Sequence, residues 1–176
     1  KTGAIKTARK NIIAKLLNKE DFSDDLDKTS VDATLFRALF TSNGIYDDTA
    51  GESVRYVLDV YNQFINDAAD DKRLMTELID ELTSAPIGMR RGVIPVYLAY
   101  VISNRKEDII VYFGDKEVSV TADIILNMCS YPKDYSIYVS SEDVEKEKYI
   151  SGLGELYKIA ELDNQQDSRI SIIVYN

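Results

Sequence analysis

From Val93 to Ile102 the chain reads Val-Ile-Pro-Val-Tyr-Leu-Ala-Tyr-Val-Ile without a single charge. Such a run cannot lie along a surface. It predicts a helix over Val93 to Ser103 that is buried on most sides and around which the remaining elements must be arranged. Pro95 falls in the first turn, where its missing N–H costs no helical hydrogen bond. Asn104-Arg105-Lys106 ends the helix, with cations at the negative end of its dipole. Upstream, Ser84-Ala85-Pro86-Ile87-Gly88 is a breaker-rich turn, and Arg90-Arg91 stands at the helix entrance.

The texture beyond this helix is β-rich. Ile109 to Phe113 reads as a strand, Gly114-Asp115 as a tight turn and Glu117 to Val120 as the returning strand. Thr121 is placed to cap a further helix carrying Ile124, Ile125 and Met128, which must end before Pro132. Ser136 to Val139 alternates as a short strand. A charged helix is expected from Ser141, with Leu153, Leu156, Tyr157 and Ile159 on its buried side, and a closing strand over Ile170 to Tyr175. The order helix, hairpin, helix, strand is that of a winged-helix-like module.

The first half is helical throughout. Ile5, Ala8, Ile12, Ile13, Leu16 and Leu17 recur at helical spacing between Thr2 and Asn18. Glu20 to Lys28 reads as an exposed loop. A second helix is expected from Ser30 through Phe40, stopped by Ser42-Asn43-Gly44. A third runs from Gly51 to Asp67 and a fourth from Asp71 to Leu82. The fold class is therefore α+β and mainly helical: a helical subdomain over 1–84, then a winged-helix-like subdomain over 85–176, the two able to share one core.

Composition removes several chemistries. There is no histidine and one cysteine, Cys129. Ser-His-Asp and Cys-His nucleophile systems, zinc sites of the usual nitrogen and sulfur type and an internal disulfide are all excluded within the chain. No GxxxxGK[ST] phosphate loop is present, and Gly152-x-Gly154 lacks the third glycine of a dinucleotide fingerprint. Paired acids at Asp24-Asp25, Asp47-Asp48, Asp70-Asp71 and Asp80-Glu81 leave carboxylate-metal chemistry formally open, but each pair falls at a helix end or in a loop. The residues thus predict no catalytic group, no metal and no cofactor. No run is long enough to span a bilayer, so no membrane partner is expected, and the lone thiol fits a cytoplasmic location. The chain opens on Lys1 rather than Met, which leads us to expect a piece of a longer polypeptide.

Net charge is −9, which argues against a surface devoted to phosphate backbones. The charge is nonetheless segregated. Lys1, Lys6, Arg9, Lys10, Lys15 and Lys19 precede the first acid, and Glu20 to Asp32 then reverses the sign. The cations Lys6, Arg9, Lys10, Arg90, Arg91, Arg105 and Lys106 are the candidates for contacting nucleic acid or phosphate. Arg90 and Arg91 head the set because a helix N-terminus beside two guanidiniums suits an anion. Pairing with Asp80 and Glu81 is the plainer alternative. The hairpin tip Gly114-Asp115-Lys116-Glu117 is net acidic, unlike a DNA-reading wing. The tyrosines of the second half are expected to be half-buried core rather than a stacking platform.

The run Ala85-Pro86-Ile87-Gly88-Met89-Arg90-Arg91-Gly92-Val93-Ile94-Pro95-Val96-Tyr97-Leu98-Ala99, continued by Asp108 to Phe113, Tyr131-Pro132 and the charged stretch Glu145 to Tyr157, resembles a helical and winged-helix-like segment of large bacterial P-loop ATPases, including proteins of phage-defence systems. The resemblance covers roughly 86–157. It implies a non-catalytic regulatory or interaction domain of a cytoplasmic ATPase that acts on or senses nucleic acid. It carries over no catalytic residue. The partners it implies are other domains of the same polypeptide or a separate protein. Two alternatives stand beside it: a nucleic-acid-binding module using the basic first helix with Arg90 and Arg91, and a carboxylate-dependent metal enzyme.

Overall fold

A computed structural model describes residues 2–23, 27–69, 71–105 and 108–140. The charged helix expected from Ser141 and the strand at Ile170 to Tyr175 lie outside the described residues.

The apolar run becomes α5, Ile94–Asn104, with Pro95 in its first turn. It is the central element: Ile94, Val96, Leu98, Ala99 and Ile102 are fully buried. Helix α1 (Thr2–Leu17) packs across it, burying Ala8, Ile12, Ile13, Leu16 and Leu17. Helix α3 (Glu52–Asp67) packs on it as well and buries Val60, Tyr61, Phe64 and Ile65. The Tyr61 hydroxyl, carried into the core by this helix, donates to the Ile94 carbonyl at 3.2 Å, so the buried polar tip is satisfied.

Helix α2 (Val31–Phe36) starts as its sequence directs. Ser30 is extended at φ −61°, ψ 158°, and its hydroxyl accepts from the Ala33 N–H. The helix then widens into a π-helical stretch over Arg37–Thr41. Backbone bonds from Ser42 to Arg37 and from Ile45 to Phe40 carry this wider winding. Asn43 closes the end with its side chain, donating to the Ala38 and Leu39 carbonyls. Gly44, at φ +69°, makes the left-handed turn that follows.

An aromatic column forms where α2, its π extension and α5 meet. Phe22 stacks on Phe36 at 3.9 Å between centroids, and Phe36 stacks on Phe40 at 4.8 Å. Phe40 meets Tyr97 and Tyr100 of α5 edge-on at 5.7 and 5.5 Å. The Tyr97 hydroxyl donates to Leu39 O at 2.8 Å and receives the Asn43 amide. Phe22 is buried although it stands in the stretch expected to be exposed.

The sheet has four strands in the order β1-β4-β2-β3, every pairing antiparallel. Strand β2 (Ile109–Phe113) and β3 (Lys116–Val118) form the hairpin, with Gly114 at φ +56° in its two-residue loop. Helix α6 (Ala122–Ser130) follows, Thr121 capping the Ile124 N–H, and leads through a short 3₁₀ turn at Pro132–Asp134 into β4 (Tyr135–Val139). Ile109 and Val111 of β2 share the buried face with Tyr135, Ile137 and Val139 of β4.

Two expectations need correcting. The fourth helix does not begin at Asp71. Arg73–Leu74 is a two-residue strand, β1, paired with Ile137 and Ser136 of β4, and α4 begins only at Met75 and ends at Thr83. The pairing is dictated by a partner far along the chain, so local periodicity cannot show it. The second strand of the hairpin is Lys116–Val118 rather than Glu117 to Val120. One hydrophobic core runs through the described residues on both sides of Ser84, with Leu78, Ile79 and Leu82 of α4 packed into the same cluster as Leu98, Ile125, Met128 and Ile137.

Candidate functional site

Helix α5 begins where three elements converge: α1, the turn at Arg90 to Val93 and the C-terminal end of α6. They frame a cleft of about 300 Å³ lined by Arg9, Arg91, Gly92, Pro95, Leu126, Cys129 and Ser130. Arg9 reaches it because Ile12, Ile13 and Leu16 turn inward and fix the orientation of α1. Gly92 makes the room. A Cβ on Gly92 would stand 2.8 Å from Arg9 Nη2, so the guanidinium lies over bare backbone.

The sequence candidates separate into groups. Arg9 and Arg91 share the cleft. Lys10 is one residue further along α1 but turns to α6, pairing with the Asp123 carboxylate at 2.7 Å. Both members of that pair are well exposed, which limits it to a few tenths of a kcal/mol, up to about 1 kcal/mol. Lys6 and Arg90 are exposed at the surface. The ion pairs weighed between Arg90 or Arg91 and Asp80 or Glu81 do not form among the described residues. Arg105 is at the other end of α5, about 16 Å away by helix rise, and its guanidinium donates to the Asn66 side chain at the end of α3. Lys106 lies outside the described residues. The candidates therefore do not form one basic track.

Gly92 is the residue that sequence reading missed. Nothing in the run Arg90-Arg91-Gly92 signals that a side chain from the first helix will lie against it.

A second concavity, an open groove of about 750 Å³, lies between α3 and the Pro86–Ile87 turn. Tyr56, about half exposed, stands in it with Arg55, Val57 and Asp59. The turn itself contains a cis Ala85–Pro86 bond and Gly88 at φ +59°, and it is tied back by the Met89 N–H donating to Leu82 O.

Cys129 is a core residue. Burial pushes its thiol from an ordinary 9.0 up to about 12, so thiolate is scarce at neutral pH. Burial also raises Tyr61 well above the usual phenol value, and Tyr97 is raised for the same reason although the Asn43 hydrogen bond opposes it. These shifts have one sign. The folded chain holds the protons more tightly than the unfolded chain, so Cys129 contributes its full stability below pH 9 and loses it between pH 9.0 and about 12. Two outcomes are expected: a thiol reagent at pH 8 modifies Cys129 only as fast as the protein opens, and Cys129→Ala flattens the fall in melting temperature above pH 9. Labelling of native protein at the rate of a free thiol would contradict the first.

Among the described residues no group of three or more Asp, Glu or Cys side chains gathers to hold a metal. No described helix is long and apolar enough to cross a membrane. Comparison of the chain with protein-family models, with curated proteins and with solved structures gives no match.

Proposed function

We propose that this chain is a non-catalytic interaction domain of a larger bacterial P-loop ATPase of a phage-defence or DNA-processing system. In this role it couples the nucleotide-binding module of the same polypeptide to its working state. The order α5, β2–β3 hairpin, α6, β4 supports a winged-helix-like reading of the second half, with β1 recruited as an extra strand.

The observation that carries the proposal is the groove beside Pro86 and Ile87. It puts the turn that opens the ATPase-like stretch next to a half-exposed tyrosine flanked by Arg55 and Asp59. An aromatic anchor ringed by charges of both signs is the composition of a protein-docking surface. The neighbouring module of the same polypeptide is the occupant we assign to it.

Two measurements test the assignment. The chain alone is expected to hydrolyse no ATP above a blank. In a longer polypeptide that also carries a phosphate loop, Tyr56→Ala is expected to change turnover several-fold while leaving the melting temperature within a degree or two, as suits a surface truncation. ATP hydrolysis by the isolated chain would defeat the non-catalytic role. Turnover indifferent to Tyr56 would defeat the docking role.

A further inference from the structure

We propose that the cleft between Arg9 and Arg91 is a binding site for a single phosphate group, clamped by two guanidiniums at the start of α5. This goes beyond the docking role and does not depend on it.

The first support is the state of the two arginines. Neither side chain makes a hydrogen bond or ion pair with any described residue, which is also true of the exposed Arg55 and Arg90, but Arg9, unlike those two, is partly buried. Among the described residues no acidic side chain lines the cleft. Arg9 and Arg91 put two like charges on the wall of one concavity with no acid among the described residues beside them, an arrangement that an entering anion would relieve.

The second support is how the cleft is built. Arg9 comes from the first helix and Arg91 from the turn before α5, and Gly92 leaves the space that lets Arg9 Nη2 sit there. The positive end of the eleven-residue α5 opens beside them and adds to the same field. Ser130 offers a hydroxyl at the rim; in the free protein it donates to Leu126 O.

Charge and size select the ligand. A carboxylate is satisfied by one bidentate guanidinium, whereas a phosphate monoester carries close to two charges and enough oxygens for both. The volume of about 300 Å³ takes one such group with some water. It does not extend into a track: Lys10 is neutralised by Asp123, Arg105 is at the far end of α5, and the chain carries a net charge of −9. A terminal phosphate, as on a nucleotide or at a 5′ end, fits better than a duplex backbone.

The probe is inorganic phosphate, titrated at low ionic strength and followed calorimetrically and by amide chemical shifts of 90–96 and 126–130. Binding in the millimolar range is expected. Arg9→Gln and Arg91→Gln should each weaken it by about tenfold or more, the loss of a charge-assisted hydrogen bond, and Lys6→Gln should leave it unchanged. Gly92→Ala keeps both charges but puts a methyl 2.8 Å from Arg9 Nη2, against the movable end of a side chain. It should weaken phosphate with little change in melting temperature. Tighter binding of ATP than of oligonucleotides, or of a 5′-phosphorylated strand than of its 5′-hydroxyl twin, identifies the source and supports the site either way. No phosphate binding, binding untouched by either arginine substitution, or a preference for an acidic peptide over phosphate overturns it.

Discussion

Phe40→Ala is expected to destabilise the fold by about 3–5 kcal/mol, the usual range for emptying a buried phenyl site. Phe40 is 1% exposed and meets three rings: Phe36 stacked on it, Tyr97 and Tyr100 in edge contact. Tyr97 is held in place by its hydroxyl, which bonds Leu39 O and the Asn43 amide. That ring therefore resists moving in to fill the void. The measurement is a urea transition, where the midpoint should fall sharply at an almost unchanged slope. A loss below about 1 kcal/mol would mean the column repacks freely. Phe40→Leu, which keeps much of the volume, should recover most of the loss.

Gly44→Ala is the second large effect. At φ +69° an L side chain already costs about 1–2 kcal/mol. The added Cβ would also stand 2.7 Å from both Ala50 N and Thr49 C, atoms of the main chain that cannot turn aside. A total above about 2 kcal/mol is expected. Gly88 supplies the internal comparison: its φ is +59° but no described atom lies within 4 Å of its Cβ position, so Gly88→Ala should show the conformational cost alone, about 1–2 kcal/mol. Equal losses at the two positions would show that the close approach at Gly44 relaxes at no cost. Thermal melts of the two variants side by side are sufficient.

What the sequence revealed was mostly local. The apolar run could only be a buried helix, and α5 is one. Ser30 and Thr121 announce helix starts because a hydroxyl beside an apolar-periodic run has one obvious use, and both accept the expected N–H. Gly114 marked its turn for the same kind of reason. Features set by distant partners left no such trace. Strand β1 is two residues long and exists because β4 lies beside it. The π winding at Arg37–Thr41 accompanies the ring column, and helical spacing does not distinguish it from an ordinary turn. The site was half legible. Arg91 stood out through its position at a helix entrance, but its companion Arg9 was one cation among several, and its approach to Gly92 is a fact of tertiary packing.

The short β1 strand has a consequence for how the chain reaches its native state. Arg73 and Leu74 can be zipped only after Ser136 and Ile137 arrive, so that edge closes across all of α4, α5, the hairpin and α6. Loop closure over such a span is entropically late, whereas β2–β3 and the capped helices need only near neighbours. During synthesis on the ribosome, α4 would emerge well before its sheet. Until β4 follows, the apolar side of α4 would lack those strands and would rest on whatever helices had already formed.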